Sequence, residues 1–206
     1  MELQFGKLII KDNEAKRLEK LGFTVDSLRK AVAQHRSNHN GEPSIYCGTY
    51  AKYNEGSICG LWIDLTTFDT HRDFINFCKA IHADEQDPEL MIQDFEGFPS
   101  CLYSECGLCD EDTFNKIAEY WELCEKYSRE AVDTFMDYSD GEIENFEDAF
   151  MGEYDSKVAF AEEMAQDLDI DAMMGAFAAY FDYEAYARDL FMGDYYYAEN
   201  FVFCHC

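Results

Sequence analysis

Positively charged residues are scarce in this sequence. Its 206 residues include 16 Lys and Arg against 43 Asp and Glu, which leaves a formal net charge of -27. The excess is uneven: residues 1–43 hold eight basic and six acidic side chains, a net of +2, whereas residues 44–206 hold eight basic and 37 acidic ones, a net of -29. Because such a charge repels a phosphate backbone, binding of nucleic acid by residues 44–206 is disfavoured.

Long apolar runs are also missing. No stretch of 18 consecutive apolar residues occurs, and the N-terminal sequence MELQFGKLII is too short and too polar for a signal peptide. We therefore expect a cytoplasmic protein that does not bind a membrane. In a reducing compartment, the nine cysteines are expected to be thiols rather than disulfides.

The sequence contains none of the short motifs that mark common active sites. It has no GxSxG, HExxH, Walker or GxGxxG sequence, and its acidic pairs are too numerous for any two to stand out as a general acid and base. Four histidines, His35, His39, His71 and His82, are expected on solvated helices or in a linker. We therefore predict that the protein is not an enzyme and needs no cofactor.

Metal-binding motifs are incomplete. The cysteines of CLYSECGLC (101–109) and of the C-terminal CHC (204–206) do not form the two paired knuckles of a structural zinc site. Aligning Asp140-Gly141 with positions 5 and 6 of an EF-hand loop places Met136 and Tyr138 at positions 1 and 3, where calcium needs carboxylate or amide oxygens. The sequence therefore predicts no metal site.

Hydrophobic and aromatic residues are abundant despite the charge. They make up 48% and 16% of the chain, with 17 Phe and 14 Tyr, whereas acidic disordered chains are poor in aromatics. A folded protein with a core is therefore predicted. Since the net charge lowers stability through self-repulsion, we expect the charge to serve a function.

Hydrophobic spacing in the first half predicts short helices and one hairpin. Residues 11–36 read as two short helices, which could form a helix-turn-helix although no base-contacting pattern accompanies them, and 37–44 read as a linker. Residues 45–65 read as a β-hairpin that turns near Asn54-Glu55-Gly56, and a helix follows over about 71–82. Asp87-Pro88-Glu89 is typical of the start of another short helix.

The second half repeats this design. The clearest periodicity predicts one helix over about 113–135, and shorter helices are predicted over about 157–168 and 183–192. An aromatic strand pair is predicted in YYYAENFVF (195–203). Short elements with small cores, without regular alternation of strand and helix, predict an elongated α+β protein rather than a doubly wound sheet.

The acidic residues reach their highest density in one stretch. Residues 136–156, MDYSDGEIENFEDAFMGEYDS, contain eight carboxylates and neither Lys nor Arg. Duplex DNA carries one charge per about 1.7 Å of its axis, so the 37 acidic residues of 44–206 correspond to roughly 63 Å, or about 18 base pairs. Aromatic residues among the acids, namely Tyr138, Phe146, Phe150 and Tyr154, would hold the charges on a rigid frame. These features predict a folded anion that suits a DNA-binding groove.

The sequence resembles the ArdA antirestriction proteins over about residues 44–206. The resemblance rests on four ordered segments: IYCGTYAKYNEGSICGLWIDL (45–65), DPELMIQDFEGFP (87–99), ENFEDAFMGEYDS (144–156) and YFDYEAYARDLFMGDYYYAENFVF (180–203). It implies a DNA mimic that occupies the DNA-binding channel of type I restriction-modification enzymes, formed by specificity and modification subunits, and that blocks DNA binding, restriction and modification. It also implies an elongated, curved homodimer that follows bent B-form DNA.

We expect four parts in the chain: a helical extension and linker (1–43), a β-hairpin and helix module (44–100), a central helical module (101–136) and a C-terminal α+β module (137–206). The basic extension lies outside the resemblance. The carboxylates expected to contact the partner are Asp110, Glu111, Asp112, Glu119, Glu122, Glu130, Asp133, Asp137, Asp140, Glu142, Glu144, Glu147, Asp148, Glu153, Asp155, Glu162, Glu163 and Asp167.

An acidic protein-interaction or scaffold domain, whose charge serves solubility alone, is the alternative hypothesis. Competition distinguishes the two functions. Duplex DNA displaces a DNA mimic from its partner, whereas it leaves a scaffold bound.

Overall fold

The computed structural model of the chain describes residues 3–5, 8–10, 14–138 and 142–205. Within these ranges the fold is α+β, as the sequence predicts, because short helices accompany small antiparallel sheets. The chain forms two compact units, Met1–Lys126 and Tyr127–Cys206. Among the described residues, no helix combines the length and the apolar composition that crossing a lipid bilayer requires.

The basic N-terminal segment folds as a short hairpin followed by two helices. Their bounds are β1 (Leu3–Phe5), β2 (Leu8–Ile10), α1 (Ala15–Lys20) and α2 (Val25–His35). Two helices are present, as predicted, and they are separated at Gly22, which has the left-handed conformation (φ +85°) that glycine adopts without strain. Leu18, Leu28 and Val32 are buried. The two helices therefore contribute to the core of the first unit.

Polar contacts also tie this segment to the rest of the first unit. The Arg17 guanidinium donates hydrogen bonds of 2.6, 2.9 and 3.0 Å to the carbonyl oxygens of residues 83–85. In residues 37–44, predicted as a linker, the Ser37 N–H donates to the Trp62 carbonyl oxygen (3.1 Å). Because its backbone groups are satisfied by a neighbouring strand, this stretch is not a free linker.

Three strands of the first unit form an antiparallel sheet. They are β3 (Ser44–Thr49), β4 (Leu61–Asp64) and β5 (Leu90–Glu96), in the spatial order β4–β3–β5. The pairing of β3 with β4 confirms the predicted hairpin. The connection differs from the predicted turn, because the Thr49 hydroxyl accepts the Lys52 N–H (3.3 Å) and starts a short helix, α3 (Tyr50–Asn54).

The helix predicted over 71–82 is confirmed as α4 (His71–Ile81). It begins where the Thr70 hydroxyl accepts the Asp73 N–H (3.2 Å) and donates to the Asp73 carboxylate (2.8 Å). Phe74, Phe77 and Ile81 are buried along this helix, so it packs on the core of the first unit.

The helix predicted to start at Asp87-Pro88-Glu89 is wrong. These residues lead into strand β5, where Leu90 pairs with Thr49 of β3 and the Tyr50 N–H donates to the Glu89 carbonyl oxygen (3.1 Å). Pairing within the sheet buries the apolar side chains that follow Pro88, and this tertiary contact overrides the local pattern of a helix start.

The single helix predicted over 113–135 is also wrong. Two helices occupy the region, α5 (Glu111–Lys126) and α6 (Arg129–Tyr138). The Ser128 hydroxyl accepts the Ala131 N–H (3.1 Å), which is the contact of a residue that caps a new helix. The break between the helices coincides with the division between the two units.

The second unit surrounds a small antiparallel sheet with short helices. Besides α6, it contains α7 (Phe146–Ala149), β6 (Phe150–Glu153), α8 (Lys157–Asp167), α9 (Ile170–Met174), α10 (Tyr183–Leu190), β7 (Tyr195–Ala198) and β8 (Phe201–Cys204). The sheet order is β6–β8–β7. The predicted strand pair is confirmed, and Glu199 and Asn200 join the strands with φ of +48° and +69°, as a two-residue hairpin turn requires.

Helices α8 and α10 confirm the predictions over 157–168 and 183–192, apart from their last residues. Leu168, the last residue of the range predicted as a helix, is exposed because α8 ends at the preceding residue. The core of this unit is aromatic. Phe146 and Phe203 are fully buried, and the ring of Phe146 stacks on that of Phe150 with a centroid distance of 5.2 Å.

Candidate partner-binding surface

Helix α5 carries carboxylates on its solvent-exposed side. Its buried residues are Phe114, Ile117, Tyr120 and Leu123, which recur at helical spacing. The predicted carboxylates on or next to this helix, all exposed, are Asp110, Glu111, Asp112, Glu119 and Glu122. Acidic residues in the first turn are favoured by the positive end of the helix dipole. The burial of the apolar face therefore directs these carboxylates outward.

The second unit carries most of the net charge. Its 80 residues include 20 acidic and three basic ones, a net of -17. The predicted carboxylates that are exposed here are Glu130, Asp137, Glu142, Glu144, Glu147, Asp148, Glu153, Asp155, Glu162, Glu163 and Asp167. Asp133 is half-buried, and Asp140 lies outside the described residues. The unit thus presents a dense anionic surface.

Buried aromatic residues determine which way these acids point. In the segment 142–149, Ile143, Phe146 and Ala149 are buried, while the residues between them are exposed. The Phe146 ring also meets that of Phe135 edge-on at 5.4 Å. The expectation that aromatic residues interleaved with the acids form a packed frame is therefore confirmed for Phe146 and Phe150. Tyr154 is half-buried against Phe160, whereas Tyr138 is 63% exposed, so the expectation fails there.

Two tyrosines, which are uncharged donors, hold carboxylates of this surface through hydrogen bonds. The Tyr127 hydroxyl donates to Glu147 Oε1 (3.2 Å), and the Tyr154 hydroxyl donates to Glu163 Oε1 (3.1 Å). Partial burial and the nearby Glu163 and Asp167 carboxylates raise the pKa of Tyr154, so it keeps its proton as a donor. A hydroxyl fixes a carboxylate without removing its charge, unlike a Lys or Arg partner.

Sequence reasoning missed these tyrosines and part of the acidic surface. No local pattern pairs Tyr127 with Glu147, which lies 20 residues further along the chain. Further exposed acids of the second unit are Asp169, Asp171, Asp182, Glu184, Asp189, Asp194 and Glu199. The same charge count that indicated residues 136–156 could have found them, because they continue the excess of acid to the end of the chain.

One cluster among the described residues has the geometry of a metal site, and it lies in the first unit. Ligand atoms of His82, Asp84 and Glu85 lie within 4.8 Å of one another. The Lys52 ammonium lies among them, with Nζ at 3.1 Å from His82 Nδ1, 2.9 Å from Asp84 Oδ1 and 2.7 Å from Glu85 Oε1. A lysine thus takes the position that a cation would occupy.

The burial of His82 corrects the expectation that it is solvated. Its side chain is fully buried, and Nε2 lies 3.3 Å from the Cys47 carbonyl oxygen. The expectation also fails for His35, whose ring stacks on Phe68 at 4.0 Å and is half-buried. Both histidines lie where an apolar helix face packs on the core. The packing of their rings outweighs the preference of these polar side chains for water.

Comparison with known proteins identifies one family. A protein-family model described as antirestriction protein (ArdA) matches residues 45–203. No curated protein and no solved structure shows significant similarity to the chain. The matched range includes every exposed carboxylate described above and excludes helices α1 and α2.

Proposed function

The chain belongs to the family of ArdA antirestriction proteins, and from that premise we propose that it is a DNA mimic which occupies the DNA-binding channel of a type I restriction-modification enzyme. The observation that carries this proposal is the second unit, where exposed carboxylates leave a net charge of -17 on a packed aromatic frame. A disordered polyanion could not hold its charges at fixed spacing. The target is the methyltransferase core of specificity and modification subunits.

The spacing of charge on α5 supports mimicry. The helix has 16 residues and is therefore about 24 Å long. Glu111, Asp112, Glu119, Glu122 and Glu125 are exposed along it. Asp112 pairs with Lys116 (3.3 Å), and the four other carboxylates stand at roughly one per 6 Å of axis. One DNA strand carries a phosphate about every 3.4 Å. A channel lined with cations would meet a charge density of the same order.

Occupation of the channel explains inhibition without catalysis. A channel that accepts DNA gains affinity mainly from its contacts with phosphate, and those contacts carry no sequence information. An anion that replaces the phosphates blocks DNA binding whatever the recognition sequence is, so it prevents both restriction and modification. Because the enzyme acts on DNA inside the cell, the inhibitor acts in the cytoplasm, and a homodimer would present the anionic surface twice.

Mutual exclusion tests this proposal. Labelled protein is sedimented with a purified type I methyltransferase while unlabelled duplex containing the recognition site is added. We expect the inhibitor to leave the enzyme as duplex saturates it, because both ligands need the same cationic groups. A ternary complex of enzyme, duplex and inhibitor would instead identify an acidic scaffold that binds elsewhere.

A variant in which three carboxylates are replaced by amides provides the matched comparison. Glu162→Gln, Glu163→Gln and Asp167→Asn together remove three exposed charges from α8 and keep nearly the same side-chain shapes. The variant should bind the enzyme about tenfold more weakly or worse, while each single change has a small effect, because the binding energy is spread over many charges. A single neutral substitution that abolishes binding with the fold intact would indicate a localised site.

A further inference from the structure

A pocket lies between helix α5 and the turn that follows strand β4 in the first unit. Its volume is about 540 Å³, and pockets of roughly 300–1,000 Å³ are the usual size for ligand binding. Its lining includes the half-buried residues Phe68 and Trp121 and the buried residues Phe114 and Ile117. The pocket therefore offers aromatic surface that is partly open to solvent.

The residue spacing on α5 places acidic and aromatic side chains beside each other. Ala118, Trp121, Glu122 and Glu125 line the pocket, and each lies three or four residues from two others of this set. Residues at this spacing are neighbours on the surface of a helix. Because the Ala118 side chain is short, it leaves room for a ligand next to the Trp121 ring.

The acidic residues of the pocket lack a cation. Asp69, Glu122 and Glu125 are exposed members of the lining, and no Lys or Arg belongs to it. Within the described part of the chain, none of these three carboxylates forms an ion pair, whereas Asp112 on the same helix pairs with Lys116 (3.3 Å). The pocket is therefore anionic as well as aromatic.

A metal ion does not suit this arrangement. Among the described residues, the one cluster whose ligand atoms lie within 4.8 Å of one another is that of His82. The carboxylates of Asp69, Glu122 and Glu125 therefore do not converge on a single point. A cation that fits them must be larger and must carry several donors.

We propose that this pocket binds an arginine side chain of the methyltransferase that the protein inhibits. A guanidinium stacks on aromatic rings and donates parallel hydrogen bonds to a carboxylate, while its apolar stem packs on apolar surface. Phe68 and Trp121 supply the rings, and Glu122 and Glu125 supply the carboxylates. The inference rests on the proposed function and adds one localised contact to its distributed charge.

The aromatic lining favours arginine over lysine. The guanidinium is planar and weakly hydrated, so it can lie against a ring and still donate from its edge. The lysine ammonium is a compact, strongly hydrated charge, and it gains less from leaving water for an aromatic pocket. Exposed carboxylates alone would attract both cations, so the rings of Phe68 and Trp121 supply the selectivity.

Such a pocket gives the protein a contact that a DNA backbone does not offer. A phosphate presents charge and hydrogen-bond acceptors, and its attraction to a cation weakens as salt is added. Apolar and aromatic burial does not weaken with salt. An arginine held by both kinds of contact therefore favours the inhibitor over DNA at the same cationic group.

Peptide binding in the absence of enzyme tests the pocket. The ¹⁵N-labelled full chain is titrated at physiological salt with the acetylated and amidated tripeptide Gly-Arg-Gly, and the indole N–H signals of the two tryptophans are followed by NMR. Trp62→Phe assigns the signals. We expect the Trp121 signal to shift with a dissociation constant on the order of 1 mM, the strength of a single weak contact. The tripeptide Gly-Lys-Gly should bind at least about fivefold more weakly.

Two variants that lose the same charge separate the pocket from general attraction of cations. Glu122→Gln with Glu125→Gln removes carboxylates of the pocket, and Glu19→Gln with Glu55→Gln removes two exposed charges elsewhere in the first unit. Glutamine keeps the side-chain shape, and circular dichroism checks the fold. The dissociation constant of the arginine peptide should rise about tenfold in the pocket variant and stay within about twofold of wild type in the control.

The same variants connect the pocket with the enzyme. The pocket variant should bind a purified type I methyltransferase about tenfold more weakly than the control variant. An unshifted Trp121 signal, equal affinity for the two tripeptides, or equal binding of the two variants to the enzyme would each overturn the inference. A ternary complex of enzyme, duplex and inhibitor in which the two variants still differ would remove the DNA mimicry and keep the arginine pocket.

Discussion

Lys52 shows how one cation is used in a chain with few of them. It donates to His82 Nδ1, Asp84 and Glu85, and Thr49 donates a further hydrogen bond of 2.6 Å to Glu85 Oε1. Lysine can only donate and a carbonyl oxygen can only accept, so His82 must accept at Nδ1 and donate from Nε2. The ammonium therefore joins helix α3 to the loop after α4.

Replacing Lys52 should lower the stability of the first unit. Lys52→Met keeps the apolar stem but leaves His82 Nδ1 and two carboxylates without their donor, so we expect a loss of about 2 kcal/mol in the free energy of unfolding. Urea denaturation measures it. The control is Lys116→Met, which removes an exposed ion pair with Asp112 (3.3 Å) and should cost less than about 0.5 kcal/mol. Equal losses for both variants would contradict this account.

The same cluster should make stability depend on acid pH. Partial burial opposes the shift, but hydrogen bonds from Lys52 and Thr49 lower the pKa of Glu85 below its ordinary value. A lowered pKa in the folded state contributes stability that is present above the ordinary glutamate pKa of about 4.3 and is lost as pH falls through the lowered value. The stability difference between wild type and Lys52→Met should therefore shrink in that window. A difference that is constant with pH would contradict the assignment.

At the scale of elements, the sequence correctly predicts the helices that begin after Thr70 and Asp182. Thr70 and Asp182 begin helices α4 and α10 because each side chain accepts a backbone N–H three residues on. Signals that depend on distant partners failed. Asp87-Pro88-Glu89 has the composition of a helix start but joins a sheet, and Ser128 interrupts an apolar periodicity that continues through it. Periodicity reports which face is buried and does not report where the backbone turns.

The candidate surface, too, could be predicted only in part from the sequence. Exposure of the carboxylates could be predicted, since acids between apolar positions of a helix must face solvent. The hydrogen bond from Tyr154 to Glu163 and the cluster around Lys52 could not be predicted, because their partners come from different elements. Residues 169–180 lie outside every helix and strand predicted from the sequence. That Met173, Phe177 and Tyr180 are exposed there is seen only in the structure.

Helices α1 and α2 are predicted to stabilise the first unit even though the family match begins after them. Leu28 is fully buried, so Leu28→Ala should lower the free energy of unfolding by about 3 kcal/mol through lost contacts and a cavity. Thermal and urea denaturation measure this loss. Ile58→Ala, at a residue 57% exposed, is the control and should change stability by less than about 0.5 kcal/mol. A Leu28→Ala protein as stable as the control would make the helices a loose appendage.

At the scale of the whole molecule, net charge opposes folding and supports binding. Self-repulsion from a charge of -27 is relieved by screening, so the melting temperature should rise between low and physiological sodium chloride, by about 3 °C for each kcal/mol regained. Potassium chloride should act equally, because the effect is screening and not binding of one ion. A melting temperature that is flat across the salt series would show that the carboxylates are already neutralised.

Competition between the protein and DNA is the measurement that tests the central claim most directly. Fluorescence anisotropy of a labelled duplex is titrated with a purified type I methyltransferase at several fixed concentrations of this protein. If the anionic surface occupies the DNA channel, the apparent dissociation constant of the duplex rises in proportion to the inhibitor concentration and reaches no limit. An apparent constant that levels off, or that stays unchanged while the protein is bound to the enzyme, would contradict mimicry.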